Sequence, residues 1–216
     1  MKEVMKMNYF TKETFKVFNV DGLESRMKEI RKEIQPVFEE IHDTIIEDLN
    51  KQSGYLNEFH IAQHLRRTVH PPESTWCAFG GDKRGYKKYP HFQIQINEEF
   101  IFFAFAMIDN PKYEIPIVEK LKKNSEIWKG FGPDFKIMKD HTKTDIVDYS
   151  KDSMLAALDR VINIKKGEIM FGRIIESNSP FLANSKAQMA FIKDTYHMLM
   201  PLYKLALETH MALAEE

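Results

Sequence analysis

Two adjacent segments that both have strand patterns, with no helix between them, constrain the fold of this chain most. Residues 91–97, HFQIQIN, alternate with period two, so Phe92, Ile94 and Ile96 share one side of a strand. Residues 99–108, EFIFFAFAMI, form an apolar run that is typical of a more buried strand. Because only a short turn at 97–99 separates the two segments, the sequence predicts an antiparallel hairpin whose first strand turns Phe92, Ile94 and Ile96 toward the core.

The rest of the chain supplies helical patterns around this hairpin. Neighbouring parallel strands need long crossover connections, so a doubly wound parallel fold is disfavoured. Pro36 should kink or split the first long helix near Gln35, and Ser150 or Ser153 is expected to cap another. We therefore expect a single α+β domain over 1–216, with a mostly antiparallel sheet flanked by helices. The predicted long helices cover 21–50, 114–128, 150–163 and 184–213, and the further strands cover 74–80, 134–141 and 167–175.

Positive charge is concentrated in residues 64–91, although the formal net charge of the chain is −1. An attraction to anions must therefore come from this local stretch. Only Glu73 and Asp82 oppose its cations, and the diproline at 71–72 makes the connection between its two basic parts rigid. Guanidinium groups bind phosphate in a bidentate manner, and the three glycines of 80–85 would let backbone amides approach an anion.

The favoured interpretation is a binding module for a phosphate-containing ligand, either a nucleotide or single-stranded nucleic acid. Aromatic side chains that alternate with the cations would stack on a base. The stretch lacks the GxxxxGK[ST] order of a P-loop, and the competing interpretation is a solvated loop whose lysines protect a sheet edge. The predicted ligand-binding residues are Arg66, Arg67, Lys83, Arg84, Lys87, Tyr86 and Trp76.

Histidines in the same region support an alternative function, an enzyme of phosphoester or nucleotide chemistry. Nearby arginines should keep a histidine neutral, and His64 or His91 would then act as a base beside a bound phosphate. His60 and His64 share a face in either a helix or a strand, and with His91 or His141 they could bind a metal. The segment lacks the glutamate of the HExxH pattern, so we predict no metal and no other cofactor.

A third interpretation is a structural or partner-binding protein without a small ligand. The methionines of the last helical pattern pack in the core or form a partner face, which would allow a homodimer through the C-terminal helices. Cys77 is the single cysteine, which excludes an internal disulfide and favours the cytoplasm. The N-terminus has no long apolar segment, and the apolar run at 100–108 is too short to span a bilayer as a helix, so no membrane partner is predicted.

Residues 60–94, HIAQHLRRTVHPPESTWCAFGGDKRGYKKYPHFQI, resemble the signature stretch of the YktB-like proteins, an uncharacterised family of Gram-positive bacteria. The opening FTKETFKVFNVDGLESRM at 10–27 and the segment INIKKGEIMFGR at 162–173 also resemble the patterns of that family. The resemblance covers nearly the whole chain. It implies a compact α+β fold and a bacterial, cytoplasmic origin, and it implies no particular activity.

Overall fold

The computed structural model describes residues 9–109 and 111–215, and it has one seven-stranded sheet. The strands lie in the order β1-β2-β3-β4-β7-β5-β6, and every neighbouring pair is antiparallel. This arrangement confirms the α+β class and the antiparallel sheet. The strands are β1 (Phe59–Ile61), β2 (Ser74–Phe79), β3 (His91–Asn97), β4 (Phe100–Met107), β5 (Phe135–Met138), β6 (Ile146–Asp148) and β7 (Ile169–Glu176).

The predicted hairpin forms the middle of the sheet. Ile94 of β3 pairs with Phe103 of β4. The side-chain oxygen of Asn97 accepts hydrogen bonds at 2.8 Å from the backbone N–H groups of Glu99 and Phe100, which closes the turn. Every residue of both strands is buried, because elements cover both faces of the sheet at this point. The predicted core placement of Phe92, Ile94 and Ile96 is confirmed.

The helices pack on the face of the sheet that carries Ile94 and Phe103, where they enclose the larger hydrophobic core. The last and longest helix contacts the middle strands β3 and β4 directly. The methionines of this helix were predicted either to pack in the core or to form a partner face. Met189 and Met200 are buried in this core. The helices are α1 (Lys12–Phe15), α2 (Leu23–Glu29), α3 (Gln35–Ser53), α4 (Glu114–Lys123), α5 (Lys151–Asn163) and α6 (Ser185–Ala214).

The first long helical pattern changes its hydrogen-bond geometry near Gln35, where the presence of Pro36 predicted a kink or a break. A π-helical segment, Ile30–Ile34, links α2 to α3, and Pro36 lies in the first turn of α3. The helical segments follow one another without a gap, and Pro36, which has no N–H to donate, comes just after the π-helical turn. The helix ends at Gly54, whose left-handed backbone (φ 79°) suits a residue without Cβ.

The opposite face of the sheet is covered by loops rather than helices. Here Tyr86 packs with Phe102 and Met170 in a second, smaller core. A row of buried polar side chains on β3 also lies on this face. Gln93 Nε2 donates to Gln95 Oε1 at 3.0 Å, and Gln95 Nε2 donates to the backbone oxygen of His141 at 3.1 Å. His91 of the same strand lies 2.9 Å, through Nδ1, from the backbone oxygen of Tyr89. The loops 80–90 and 139–145 are therefore both fixed to β3, and the candidate site lies beside them.

Within the part of the chain that the structure describes, no helix is both long enough and apolar enough to cross a membrane.

Candidate functional site

The loop-covered side of the sheet contains a cavity of about 580 Å³, which we call the arginine cavity. It lies where the loop after β1 meets the loops before β3 and after β5. Seven of the residues that the sequence singled out line it together. They are His64, Arg66, Arg67, Trp76, Tyr86, Lys87 and His141, and the remaining lining comes from residues 61–63 and 65, Asp109 and Thr142.

Aromatic rings form the inner wall of the arginine cavity. Trp76 Nε1 donates a hydrogen bond of 2.5 Å to the hydroxyl of Tyr86. The rings of His64 and His141 approach Trp76 edge-to-face, with centroid distances of 5.3 and 5.6 Å. Burial raises the pKa of Tyr86 to about 12, although the Trp76 hydrogen bond opposes the shift. Trp76 and Tyr86 are therefore uncharged at neutral pH and present flat apolar surface with polar edges.

The two arginines lie exposed at the rim of the arginine cavity. The Arg67 guanidinium reaches only the backbone oxygens of His70 and Pro71, each at 3.4 Å. Among residues 9–109 and 111–215, no carboxylate lies within ion-pair distance of either guanidinium. Lys87 differs, because it is paired with Asp109. Arg66 and Arg67 are thus cations without an ion-pair partner among the described residues, although the charge of Arg66 contributes to lowering the pKa of Asp109 in the same cavity.

His64 lies between the rim and the aromatic wall. Its Nε2 is 3.1 Å from the hydroxyl of Thr75, and its backbone is left-handed, with φ 52°. Burial, followed by the positive charge of Arg67, lowers the pKa of His64 to about 4. The imidazole is neutral at pH 7, as the sequence predicted, although burial contributes more than the neighbouring arginine.

The glycine loop does not serve as an anion nest. One carboxylate oxygen of Asp82 accepts hydrogen bonds from the backbone N–H groups of Arg84 (2.7 Å) and Gly85 (3.2 Å). The backbone amides that were expected to bind an external anion are already bonded to the carboxylate of Asp82. Gly81 is required by the turn, since its φ is +78° and an added Cβ would lie 2.4 Å from the oxygen of Gly85.

The basic residues of 64–91 do not all converge. Arg84 lines a second cavity on the other side of Tyr86, and Lys83 lines neither of the two. His91, the other candidate base, is fully buried, with Nδ1 2.9 Å from the oxygen of Tyr89. Burial lowers the pKa of His91 to about 4. A ligand in either cavity would not touch His91, so its visible role is to anchor the loop.

Sequence reasoning named His141 as a possible metal ligand but missed its partner at the arginine cavity, Glu168. His141 Nδ1 lies 2.7 Å from Glu168 Oε2, and both side chains are mostly buried. The backbone N–H groups of Asp109 and His141 also donate to the Glu168 carboxylate. Burial raises the pKa of Glu168, but the His141 contacts and these N–H donors outweigh it, so the pKa falls below its usual value. Glu168 is therefore ionised and orients the His141 ring.

The same pair belongs to a group that could hold a metal ion. Ligand atoms of Asp140, His141 and Glu168 lie within 4.8 Å of one another. Among the described residues, no other group of three or more such side chains brings its ligand atoms this close together. The Glu168 oxygens already accept N–H donors, and Asp140 accepts from both the N–H and the hydroxyl of Thr142. A cation would compete with the N–H donors for Glu168, whereas Oδ2 of Asp140 accepts none of these hydrogen bonds. His60, the other candidate ligand, lines the second cavity and not this one.

The fold and this cavity define an α+β protein with a ligand-sized cavity of arginine and aromatic side chains. The model of the family described as "Domain of unknown function (DUF1054)" matches residues 10–203, and the chain belongs to that family. The resemblance to the uncharacterised YktB-like proteins is thereby confirmed.

Several bacterial relatives named UPF0637 proteins match nearly the whole chain. One from Enterococcus faecalis is 40% identical over 200 residues, covering 93% of this chain and 98% of the relative. One from Oceanobacillus iheyensis is 38% identical over 207 residues, covering 94% and 98%. A third, from Staphylococcus carnosus, is 38% identical over 197 residues, covering 90% and 97%. The similarity therefore extends well beyond the basic stretch.

Proposed function

We propose that the arginine cavity binds a small molecule that carries a phosphate group. The observation that carries this proposal is the placement of Arg66 and Arg67, without carboxylate partners, at the rim of a cavity walled by Trp76 and Tyr86. Arginine presents a planar fork that matches phosphate oxygens, and each such contact is charge-assisted. The same cavity offers flat aromatic surface to the rest of the ligand.

The size of the cavity favours a whole small molecule over a strand. Ligand pockets for small molecules usually measure about 300–1,000 Å³, and the arginine cavity, at about 580 Å³, lies within that range. Leu65, 85% exposed, lies on the rim, where an apolar ligand body would cover it. A mononucleotide combines a stacking base with a phosphate, so it fits this lining better than a phosphosugar does.

A thermal-shift comparison tests the proposal. Ligands that bind only the native state raise the melting temperature. We expect AMP to stabilise the protein more than adenosine or inorganic phosphate does, because only AMP engages the arginines and the aromatic wall together. A larger effect from oligo(dT) would favour the single-stranded nucleic acid alternative. If no phosphate compound stabilised the protein, a structural or partner-binding role without a small ligand would be favoured.

A second candidate function, phosphoester hydrolysis, is favoured by one observation, the hydrogen bond between His141 and Glu168. With Nδ1 held by the carboxylate, Nε2 is the nitrogen left to take a proton in the arginine cavity. His141 Nε2 would accept a proton from water as the water oxygen attacks phosphorus. The P–O bond to the leaving group breaks in the same step, and the leaving oxygen takes a proton from solvent.

Release of p-nitrophenolate from p-nitrophenyl phosphate tests the hydrolase candidate. His141→Asn should abolish the release, because the proton acceptor is lost. Glu168→Gln should lower the rate and change its pH profile, because Glu168 orients the ring. Release no faster than in buffer, or full activity in His141→Asn, would exclude His141 as the base and leave His64 as the remaining histidine candidate in the cavity.

We further infer a cytoplasmic location and keep a homodimer through the C-terminal helix as a proposal. Cys77, a buried free thiol, supports a reducing compartment. Met198 is exposed on α6, whereas Met189 and Met200 are buried. The partner face that we propose on this helix is therefore smaller than the sequence suggested. Gel filtration with light scattering would measure the mass of the protein in solution, and the mass of a single chain would exclude the dimer.

A further inference from the structure

A second cavity, of about 1050 Å³, lies on the other side of Tyr86 from the arginine cavity. Strand β1, the loop 82–89 and the C-terminal end of α6 enclose it. His60 of β1 and His210 of α6 both line it, so we call it the histidine cavity. It shares Ile61, Tyr86 and Lys87 with the arginine cavity, but it contains neither Arg66 nor Arg67.

His210 has a ring nitrogen without a partner in this lining. The residue is only 2% exposed, and its buried Nδ1 has no hydrogen-bond partner among the described residues. The backbone of Lys112 hydrogen-bonds the imidazole, which leaves Nε2 as the donor to that backbone oxygen. Burial lowers the pKa of His210. Nδ1 of the neutral ring is therefore an acceptor that lacks a donor, in a wall of the cavity.

His60, on another wall of the cavity, also has a ring nitrogen without a partner. Its buried Nε2 has no hydrogen-bond partner among the residues described. Most buried polar side-chain atoms in native proteins are hydrogen-bonded, and each exception needs an explanation. A molecule bound in the histidine cavity would supply the missing partner of the more buried of the two rings, His210.

Positive charge surrounds the histidine cavity. Arg84, Lys88 and Lys112 line it, and no carboxylate of the described residues lies within ion-pair distance of them. Asp82 is the one acid in the lining, and its carboxylate is already bonded by the N–H of Arg84 and by the hydroxyl of Tyr89. The rim is therefore suited to an anionic group.

The walls between these polar groups are aromatic. The ring of Tyr89 lies 4.4 Å from that of His210, with 39° between their planes. Tyr86, largely buried, forms the partition toward the arginine cavity. A flat ring in this space would contact aromatic faces, while its polar substituents would reach the imidazole nitrogens.

We propose that the histidine cavity is a second binding site, which takes an aromatic acid bearing a hydroxyl or N–H group on its ring. The acid group meets Arg84, Lys88 and Lys112 at the rim. The ring packs on Tyr89, and its O–H or N–H donates to His210 Nδ1. This site is independent of the phosphate site proposed above, because the residues that carry each site differ.

Calorimetric titration with 4-hydroxyphenylacetate and phenylacetate tests the proposal on the whole protein. Sites built to hydrogen-bond a hydroxyl reject analogues that lack it. We expect saturable binding of 4-hydroxyphenylacetate that is at least about tenfold tighter than that of phenylacetate. His210→Phe keeps an aromatic ring beside Tyr89 and should remove this preference. Arg67→Ala, in the arginine cavity, should leave both affinities unchanged.

If His210→Phe fails to fold, a variant at the exposed rim of the histidine cavity tests the proposal instead. Lys112→Ala should weaken the binding of both acids several-fold, because both carry the carboxylate. The proposal is overturned by the absence of saturable binding of 4-hydroxyphenylacetate to the unmodified protein. It is also overturned by a folded His210→Phe variant that retains the preference, or by loss of binding in Arg67→Ala, which would place the acid in the arginine cavity.

Discussion

The imidazole of His141 and the carboxylate of Glu168, 2.7 Å apart, join the loop after β5 to the chain just before β7 at the arginine cavity. The pairing of β5 with β7 ends at Met138 and Met170, and the chain on either side of that pair leads within a few residues to His141 and Glu168. Glu168 accepts from two backbone N–H groups as well as from the ring. One ionised side chain thus fixes two loops and the orientation of a histidine that a ligand would touch.

We predict that this protein carries no stoichiometric structural zinc. Both oxygens of Glu168 and one oxygen of Asp140, Oδ1, already accept N–H or hydroxyl donors, and the chain has a single, buried cysteine. Metal analysis of protein purified without a His-tag should give well below one equivalent. One equivalent of zinc that resists dialysis would contradict this prediction and identify Asp140, His141 and Glu168 as ligands.

Acidification should destabilise the protein through His91. Burial lowers the pKa of this ring to about 4 from a usual value of 6.5. Between these values the unfolded chain binds more protons than the folded one, so stability falls as the pH falls. From pH 7 to pH 5, the loss from His91 should be on the order of 2 kcal/mol.

Urea denaturation of the unmodified protein and of His91→Gln at both pH values measures this loss. The variant should be less stable at pH 7, because the ring is fully buried, and its stability should depend less on pH. His64, with a pKa also lowered to about 4, keeps part of the dependence in both proteins. Equal pH dependence in the two proteins would mean that His91 does not titrate in this way.

Ile94→Ala should be strongly destabilising, since Ile94 is fully buried in the larger core. A large-to-small change in a core costs about 2–5 kcal/mol. Leu56→Ala is a suitable control because Leu56 is exposed, and a surface change of this kind usually stays within about 0.5 kcal/mol. Denaturant unfolding of both variants measures the difference, and a loss below about 1 kcal/mol for Ile94→Ala would contradict its core position.

Gly81→Ala should destabilise the loop 80–90. The residue has φ +78°, and its new Cβ would meet the backbone oxygen of Gly85 at 2.4 Å, so the cost should be about 1–3 kcal/mol. Gly130→Ala provides a control, because nothing lies within 4 Å of its added Cβ. Melting temperatures compare the two variants. Equal values would show that the loop relaxes without cost.

Local patterns in the sequence were sufficient to predict much of the fold. The alternation of 91–97 and the apolar run after it gave the central hairpin, because period and burial are properties of neighbouring residues. Ser150 or Ser153 was predicted to be a cap; Ser150 is the capping residue, and its hydroxyl accepts from the N–H of Ser153 at 3.0 Å. The short strands β1 and β6 were missed, since three residues carry too little pattern to indicate a strand.

The candidate site was predictable only in part. Arg66, Arg67, Trp76 and Tyr86 meet in one cavity, as their shared stretch suggested. Glu168 was missed because strand pairing brings it to His141 from 27 residues away, and no local pattern predicts that pairing. The glycine loop was misread because a side chain from the loop itself, Asp82, takes the amides that an outside anion would need.

The most direct test of the phosphate site is the melting temperature of Arg67→Ala with and without AMP, beside Arg84→Ala as the control from the other cavity. Arg67 has no ion pair among the described residues, so its removal should change stability by no more than about 0.5 kcal/mol. We expect AMP to raise the melting temperature of the unmodified protein and of Arg84→Ala, and not that of Arg67→Ala. AMP protection that persists in Arg67→Ala, or that is absent from all three proteins, would contradict the proposed function.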